Sequence, residues 1–384
     1  MTADGNDARP IAEPGTRRAH VLETARRVGF AAAAVADASP PVHLDALRRW
    51  IAEGRHGEMA WIADRIDLLA DPSRLLEGAR SVIVVADRYH DGRPDRRVPG
   101  LGRIGRYARG RDYHRTVRRR LEQLVAELQA AMPNERFRIC VDTAPLLERE
   151  FAARSGLARI GKHTLAIARG LGSWTLLGEV LTTAEIASTD PDPAPDPCGT
   201  CTRCLEACPT DAITPYSVDA TRCVSYLTIE HRGEIPPEFH EGIGDWIFGC
   251  DLCQEVCPHN QPTRAMRRGP IEPDHAPRRS GFDLLEVLGW TEEDRRVACT
   301  TSALKRAKLP MFRRNAVIAA TNLILGGDLD SELERALRRR LEEMFEELGV
   351  APILRAALRT SKERLEAGEP LADAERGIES ELPG

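Results

Sequence analysis

Apolar residues in the first half of the chain occur either at helical spacing or in short continuous runs. Positions three and four apart form one apolar face of a long helix, and they are Val117, Leu121, Leu124, Val125 and Leu128. Short runs bounded by turn residues predict strands at 81–86, 137–141 and 174–181. Further helices are predicted at 20–28 and 145–155. The first block is therefore expected to be a mixed helix–strand domain of the α/β (α+β) class.

A run of proline and aspartate at 190–197 can form neither a helix nor a central strand, so it predicts a domain boundary. The last block is helical throughout, with apolar residues at helical spacing in 303–325, 333–348 and 352–367. We expect an all-α, HEAT-like arrangement of paired helices, although no clean sequence period is visible. The predicted domains are 1–188, 189–265 and 266–384, a number that fits a chain of 384 residues.

Eight of the ten cysteines lie within residues 198–257. The first run reads C-x-x-C-x-x-C-x-x-x-C-P, and the second repeats its end, C-x-x-C-x-x-x-C-P. This spacing is typical of bacterial two-cluster ferredoxins, in which the fourth cysteine of each run binds the other 4Fe–4S cube. The predicted ligands of one cube are Cys198, Cys201, Cys204 and Cys257. Those of the other are Cys208, Cys223, Cys250 and Cys253.

Zinc sites and disulfides are the alternative interpretations of these cysteines. Zinc ligands usually come in pairs separated by a longer loop, not as three thiols at every third position. Disulfide frameworks are typical of small secreted domains rather than chains of this length. Cys140 and Cys299 lie outside the pattern and are expected to be buried thiols.

The net charge of −5 does not indicate general binding to nucleic acid. Arginine is nevertheless concentrated at 103–120, and a second basic group lies at 305–314. Such groups are usually solvated surfaces, but on an acidic chain they also suit a polyanion site. No segment has the ~20 apolar residues of a membrane span. A twin arginine at 26–27 precedes only a short apolar run, so we expect a cytoplasmic protein rather than an exported one.

Two clusters alone would only conduct electrons, so the upstream block is expected to hold their acceptor. Residues 100–105 have the GxGxxG spacing but no preceding strand, and they do not indicate a dinucleotide site. Asp142 is the best local candidate for catalysis, because it follows a predicted strand where α/β proteins place ligands. The alternative is that Asp142 caps the next helix.

Five motifs occur in order along the chain, at 107–114 (YARGRDYH), 141–149 (VDTAPLLER), 156–165 (GLARIGKHTL), 223–233 (CVSYLTIEHRG) and 244–251 (GDWIFGCD). In this combination the chain resembles epoxyqueuosine reductases, the cobalamin-dependent enzymes that complete queuosine synthesis on tRNA. The resemblance covers nearly the whole chain, including the helical tail. His163 departs from the pattern, where asparagine is expected.

The resemblance implies a cobalamin between the first block and the second cluster, with two 4Fe–4S clusters supplying electrons. It assigns Asp142 as the general acid, which requires a site that desolvates this carboxyl. The residues that it implies for cobalamin binding are Tyr107, Arg109, Asp112, Tyr113, Asp142, Ser225, Cys250 and Asp251. No histidine motif for ligation of the lower cobalt face is present.

The resemblance also implies a tRNA anticodon stem-loop as the partner, with the modified base splayed out of the loop. The candidates for contact with its backbone, placed on the first helix of the tail, are Arg306, Lys308, Arg313 and Arg314. An external electron donor is expected, with no membrane partner and a monomeric protein. The alternatives are a cobalamin-dependent reductive dehalogenase, a non-catalytic iron–sulfur electron-transfer subunit, and an RNA-binding protein with structural clusters.

Overall fold

A computed structural model describes residues 11–189, 196–262, 271–347 and 349–368. The helices are α1 Pro14–Val28, α2 Leu44–Ala52, α3 Ala60–Ala63, α4 Ile66–Leu69, α5 Tyr113–Ala131, α6 Glu148–Arg154, α7 Arg203–Glu206, α8 Val224–Ile229, α9 His240–Ile243, α10 Leu252–Glu255, α11 Leu284–Gly289, α12 Glu292–Ala298, α13 Leu309–Gly326, α14 Ser331–Glu346 and α15 Pro352–Ala367. The strands are β1 Ala32–Asp37, β2 Ser81–Arg88, β3 Leu101–Ile104, β4 Phe137–Cys140, β5 Ala158–Ile160, β6 Ala166–Ala168, β7 Thr175–Thr182, β8 Ile213–Thr214, β9 Ser217–Val218, β10 Trp246–Phe248 and β11 Gly281–Asp283.

The first block is built on a four-stranded sheet with the order β1-β2-β7-β4. All three strand pairs are antiparallel. All eight residues of β2 are buried, which explains its continuous apolar run. The mixed helix–strand prediction is confirmed, but the sheet has no parallel pair. The rule for the carboxyl ends of parallel strands therefore does not explain the position of Asp142, which follows the edge strand β4.

Helices cover both faces of this sheet. On one face, Val21 and Ala25 of α1 and Leu121 and Leu124 of α5 belong to one buried cluster with alternate residues of β2 and β7. On the other face, Phe151 of α6 packs against the intervening strand residues. Because successive residues of a strand point to opposite faces, every second residue of β7 is directed towards α6.

A second sheet joins distant parts of the chain. It has the order β10-β3-β11, with β3 parallel to β10 and antiparallel to β11. Its three strands come from the three predicted domains, and its buried residues continue into the helices α11 and α13–α15. The domains predicted from sequence therefore share one core.

The helices of the last block lie near their predicted positions. Gly327, with φ +74°, ends α13, and α13 contacts α11, α14 and α15. Residues 303–306 form a separate 3-10 helix before α13 rather than its first turn. Most of the predicted linker, 190–195, and the predicted boundary at 265/266 lie outside the described residues. Within the described ranges, no helix has the length and apolar character needed to cross a membrane.

Candidate active site

Asp142 lies in the loop between β4 and α6. Its backbone is left-handed, with φ +48°, a conformation that residues other than glycine seldom adopt. Helix α6 begins six residues later, and its N-cap position is Leu147, whose side chain forms no cap hydrogen bond. The helix-cap interpretation of Asp142 is therefore wrong. A strained loop that carries a carboxylate is typical of functional sites.

His114 connects Asp142 to the first turn of α5. Its Nε2 lies 2.8 Å from Asp142 Oδ2, and its Nδ1 lies 2.7 Å from Asp112 Oδ1. Although burial opposes the change, these two hydrogen bonds raise the pKa of His114 to about 9. At neutral pH the imidazole therefore carries both protons and donates to both carboxylates.

Asp112 holds the ring nitrogen of His114 that does not face Asp142. It is the N-cap of α5, it is 2% exposed, and it also accepts a hydrogen bond from Lys305. Against the effect of burial, the hydrogen bonds from His114 and Lys305 hold the pKa of Asp112 well below its usual range. Asp112 therefore orients His114, and its carboxylate is fully engaged within the protein.

The structure corrects the expectation that the chain desolvates Asp142. Its side chain is 50% exposed, and it is paired with His114. Two tyrosines border this exposed carboxyl. Tyr113 stacks on His114 with ring centroids 4.0 Å apart, and Tyr107 meets Tyr113 edge to face at 5.9 Å. These rings give the Asp142 side of the site one aromatic wall.

The parallel pairing of β3 with β10 brings two predicted motifs together. The N–H of Gly105, which follows β3, donates to the carbonyl of Phe248, the last residue of β10, at 2.7 Å. Tyr107 comes two residues after Gly105, and Cys250 comes two residues after Phe248. The N–H of Arg106 donates to Asp251 Oδ2, also at 2.7 Å. The aromatic wall and the cysteine motif are therefore adjacent in space, although 143 residues separate Tyr107 from Cys250 in sequence.

Two of the predicted cofactor-binding residues are engaged elsewhere. Asp251 is 2% exposed and interacts with Arg106. Arg109 is 5% exposed, donates from Nε to the Ile104 carbonyl at 3.0 Å and pairs with Asp95 at 2.6 Å. Both side chains are buried and engaged with other residues of the protein, so their predicted direct contact with a cofactor stays a prediction.

The grouping of the cysteines into two sets of four stays a prediction, but neighbouring thiols act on one another. Burial, and then the charges of Cys198, Cys204 and Cys201, raise the pKa of the Cys257 thiol to about 11. Burial likewise raises the pKa of Cys253 well above its usual value, with further effects from the charges of Cys223, Asp251, Cys208 and Cys204. None of the eight cysteines forms a disulfide. Among the described residues, no group of three potential ligands converges on a single metal ion.

Backbone donors surround these sulfurs. The N–H of Lys162 donates to Cys198 Sγ at 3.3 Å, and the N–H of Ala212 donates to Cys208 Sγ at 3.3 Å. The N–H groups of Tyr226 and Ser225 are directed at Cys223. Such donors stabilise thiolate-bound clusters and tune their potentials. The residues present therefore fit two cubes, and Ser225 contributes its backbone beside the second.

The predicted tRNA contacts divide into accessible and inaccessible residues. Lys308 is exposed, and Arg306 is 47% exposed and pairs with Glu230 at 2.7 Å. Arg313 is 17% exposed and pairs with Glu347 at 2.9 Å. Arg306 and Lys308 precede α13 rather than lying on it.

Arg314 is fully buried, so its predicted contact with a phosphate is wrong. Its guanidinium donates to the carbonyls of Leu227 at 2.7 Å, His231 at 3.0 Å and Gly233 at 2.6 Å. Leu227 lies within α8, the helix after Cys223, and His231 and Gly233 follow that helix. Arg314 therefore attaches the helical tail to the cluster region.

Replacing Arg314 with Ala should destabilise the fold, because it removes the donor to one buried and two partly buried carbonyls and opens a cavity. The expected cost is roughly 2–4 kcal/mol, seen as a melting temperature several degrees lower in differential scanning fluorimetry. Arg339→Ala is the matched control, since Arg339 is 76% exposed. Equal melting temperatures for the two variants would contradict the buried role.

Comparison with known proteins identifies a cluster-binding domain and the family of the chain. Residues 197–260 match a 4Fe-4S double cluster binding domain, and residues 70–143 match the family described as epoxyqueuosine reductase QueG, DUF1730. The epoxyqueuosine reductase of Pseudomonas aeruginosa is 37% identical over 317 residues, covering 81% of this chain and 86% of the relative. The chain belongs to the epoxyqueuosine reductase family. The Synechocystis sp. epoxyqueuosine reductase is 41% identical and covers 70% of this chain and 92% of its own.

Solved epoxyqueuosine reductases share the fold. The Bacillus subtilis enzyme, with its aspartate-bearing catalytic loop swung out of the active site, superposes with a TM-score of 0.76 at 24% identity, covering 95% of this chain and 97% of its own. A second epoxyqueuosine reductase was solved with an epoxyqueuosine-modified stem-loop of tRNA-Tyr, and its TM-score is 0.72 at 24% identity, with coverage of 91% and 99%.

Some residues of the candidate site are not indicated by the sequence. His114 is the last residue of the first motif, and its link to Asp142 could be suspected only from the motif as a whole. Glu148 accepts a hydrogen bond from the N–H of Asp142 at 2.5 Å, and Glu179 lies buried in β7. At the variant position, His163 is 4% exposed and its Nδ1 accepts from the N–H of Leu165 at 3.2 Å. His163 thus stabilises its own turn.

Proposed function

We propose that this protein reduces epoxyqueuosine to queuosine in the anticodon loop of tRNA, using cobalamin and electrons delivered through two 4Fe–4S clusters. The observation that carries the proposal is the junction of β3 and β10. It holds the Asp142–His114 pair and its tyrosines beside the Cys250 group, so that an acid and an electron route meet at one place. Epoxide removal needs both, because it consumes two electrons and two protons.

The residues present fit a redox group at this junction. Tyr107 and Tyr113 would hold it on the side of Asp142, and Ser225 and Cys250 would border it on the side of the second cluster. Cobalamin supplies a reduced cobalt centre whose chemistry no side chain can provide. Asp112, Arg109 and Asp251 act behind this wall by fixing His114 and the strand junction.

The protein's own part in the reaction is proton supply. His114 is doubly protonated at neutral pH and donates to Asp142 Oδ2 at 2.8 Å. As negative charge develops on the substrate oxygen, the Nε2 proton of His114 moves onto Asp142, and Asp142 delivers a proton to that oxygen. Asp112 stays ionised and holds the imidazole in position. Because His114 supplies the proton, Asp142 can act as the acid while its carboxyl group remains exposed.

A rim beside Asp142 offers a surface for unpaired bases. Trp61 is 38% exposed, and the guanidinium of Arg306 lies 4.8 Å from its ring centroid. Arg65, on the same segment, donates to the carbonyl of Thr143 at 3.3 Å, next to Asp142. Bases stack on aromatic rings and arginine planes in RNA recognition, and nearby cations contact phosphates. Lys308, which is exposed, and Arg313, which is 17% exposed and paired with Glu347, remain proposed contacts of the tRNA backbone.

The remaining expectations belong to the same proposal. An external one-electron donor reduces the clusters, and the protein acts as a monomer in the cytoplasm, where its tRNA substrate is found. The proposed domains are a cobalamin-binding domain at 1–188, a ferredoxin-like domain at 189–265 and a HEAT-like domain at 266–384. A reductive dehalogenase or a plain electron-transfer subunit would not need the basic rim or the Asp142–His114 pair.

The decisive experiment is reduction of epoxyqueuosine-containing tRNA by the anaerobically purified protein, loaded with cobalamin and supplied with a chemical reductant. Nucleoside analysis after digestion should show queuosine in place of epoxyqueuosine. The protein should contain about eight irons and change the visible spectrum of cob(II)alamin. Full cluster and cobalamin content without queuosine formation would refute the proposal.

Replacing Trp61 with Ala should weaken binding of epoxyqueuosine-containing tRNA. Loss of one base–aromatic stack costs about 1–3 kcal/mol, so Kd in a filter-binding assay should rise roughly tenfold. Trp61→Phe should retain most of the affinity, and Val297→Ala tests an exposed apolar residue elsewhere. An unchanged Kd for Trp61→Ala, with normal iron content, would remove Trp61 from the RNA surface.

A further inference from the structure

A carboxyl group is buried behind the Asp142 loop without a donor to neutralise it. Glu179 lies in the middle of β7, opposite Cys140 of the edge strand β4, and its side chain is 0% exposed. Among the described residues, no N–H or O–H donor reaches either of its carboxyl oxygens, and its polar neighbour is the carboxyl group of Glu148. Its position in the strand directs it to the face that α6 covers. An ionised carboxylate in such a place would be very costly.

Glu148, the first residue of α6, is the acidic neighbour of Glu179 and also contacts the catalytic loop. Its Oε1 accepts the N–H of Asp142 at 2.5 Å, so it holds the left-handed backbone of that residue. Glu148 thus lies between a buried acid and the proposed general acid. Two carboxyl groups this close cannot both ionise without a large penalty, so the pair keeps a proton.

The charges around the pair support this. Burial, and then the charge of Asp142, raises the pKa of Glu148 to about 7. Burial, and then Glu148, raises the pKa of Glu179 well above its usual value. The other titratable or charged groups that act on this region are Tyr113 from α5, Arg149 from α6, Cys140 from β4 with Arg138 and Arg118 beside it, and Asp142 from the loop.

We propose that Glu148 and Glu179 form an acid pair that stores a proton behind Asp142 and recharges it during each turnover. The kinetic consequences of this inference rest on the proposed function. Both residues act through Asp142 and are therefore positioning residues. Tyr113 offers a route for the proton, because its phenol interacts with both Asp142 and Glu148.

The reaction consumes two protons, and the acid pair can supply one of them. Opening an epoxide to an alkene breaks two C–O bonds, and the oxygen leaves as water with two protons, while the reduced cofactors supply two electrons. The His114–Asp142 pair holds one of these protons. The second must reach Asp142 before the oxygen departs, and the acid pair on the opposite side of the loop holds one at neutral pH.

The first test requires no activity. The infrared spectrum of the cluster-loaded enzyme at pH 7 should contain the C=O stretch of a protonated, buried carboxylic acid, and Glu179→Gln should abolish this band. Glu150→Gln is the matched control, because Glu150 is 7% exposed on the same helix but accepts hydrogen bonds from Val42 and Arg154, which keep it ionised. Loss of the band in Glu150→Gln, or its persistence in Glu179→Gln, would overturn the acid pair.

The second test measures single-turnover reduction of epoxyqueuosine-containing tRNA against pH. Glu148→Gln keeps an oxygen that can accept the N–H of Asp142 but cannot carry the proton. We expect it to slow the reaction about tenfold at pH 8, less than the ~10²–10⁴ expected of the acid itself, because solvent can still recharge Asp142. The deficit should shrink towards pH 6, where solvent protons are more abundant.

The two tests separate this inference from the proposed function. A wild-type rate for Glu148→Gln at every pH would overturn proton storage and leave Glu148 as a backbone anchor only. If the wild-type enzyme forms no queuosine, the proposed function fails, while the infrared band in Glu179→Gln still decides whether the acid pair exists.

Discussion

Replacing Cys223 with Ser should remove one of the two clusters and abolish turnover. Cys223 is predicted to complete the second cube, and it lies near enough to Cys208, Cys250 and Cys253 for their charges to act on one another. Loss of one of four thiolates should leave about four irons per chain instead of about eight. Iron analysis, together with the electron paramagnetic resonance signal of the reduced protein, would measure the loss. Queuosine formation should fall below detection, because the lost cube is the one beside the proposed cofactor site.

Cys299 provides the matched control for this experiment. It is a buried cysteine outside both groups, with 2% of its surface exposed. Cys299→Ser should keep the full iron content and measurable turnover, at some cost in stability. Eight irons in Cys223→Ser would show that another residue completes the second cube, and the pairing of the ligands would have to be revised.

The cysteine pattern could be read from sequence because cluster ligation is local. Three ligands of each cube lie within short runs whose spacing follows from the size of the cube. Helices such as α5 and α13–α15 were also predictable, since long amphipathic segments carry their own periodicity. In both cases the information lies within a few turns of chain, and the structure confirms these helices near their predicted bounds.

The junction of β3 and β10 could not be predicted in this way. Each strand has only three or four residues, and no local pattern shows that Arg103 pairs with Trp246. This pairing nevertheless decides which motif faces which. Arg109 and Asp251 belong to motifs at the site, but their side chains are buried, Arg109 with Ile104 and Asp95, and Asp251 with Arg106. A motif does not reveal which of its side chains point outwards.

The sequence also does not reveal which charged side chains are buried. Arg314 was grouped with its basic neighbours as a phosphate contact, whereas its position on α13 turns it inwards to three backbone carbonyls. For Glu179, a single glutamate in an apolar strand does not indicate a site. Both cases need knowledge of the neighbouring elements, since a buried arginine needs partners for its charge and a buried carboxyl without a donor keeps its proton.

Replacing Asp142 with Asn should eliminate most of the activity while leaving the cofactors in place. The amide cannot deliver a proton to the leaving oxygen, so the single-turnover rate should fall by ~10²–10⁴. Iron content, cobalamin spectrum and Kd for tRNA should match the wild type, because none of them depends on the acid. Asp64→Asn is the matched control, since Asp64 is an exposed aspartate on the segment that carries Trp61.

The pH profile distinguishes an acid that works with His114 from one that works alone. In the wild type, the pair holds its proton until pH rises through about 9, the raised pKa of His114, and the rate should decline above that value. In Asp142→Asn, His114 loses one of the two carboxylates that raise its pKa, so any residual rate should decline at lower pH. A decline near pH 4 to 5 in the wild type would show instead that an isolated carboxyl of ordinary pKa is the acid. Near-normal turnover of Asp142→Asn would leave the strained loop without a catalytic role and would move the search for the acid to His114 itself.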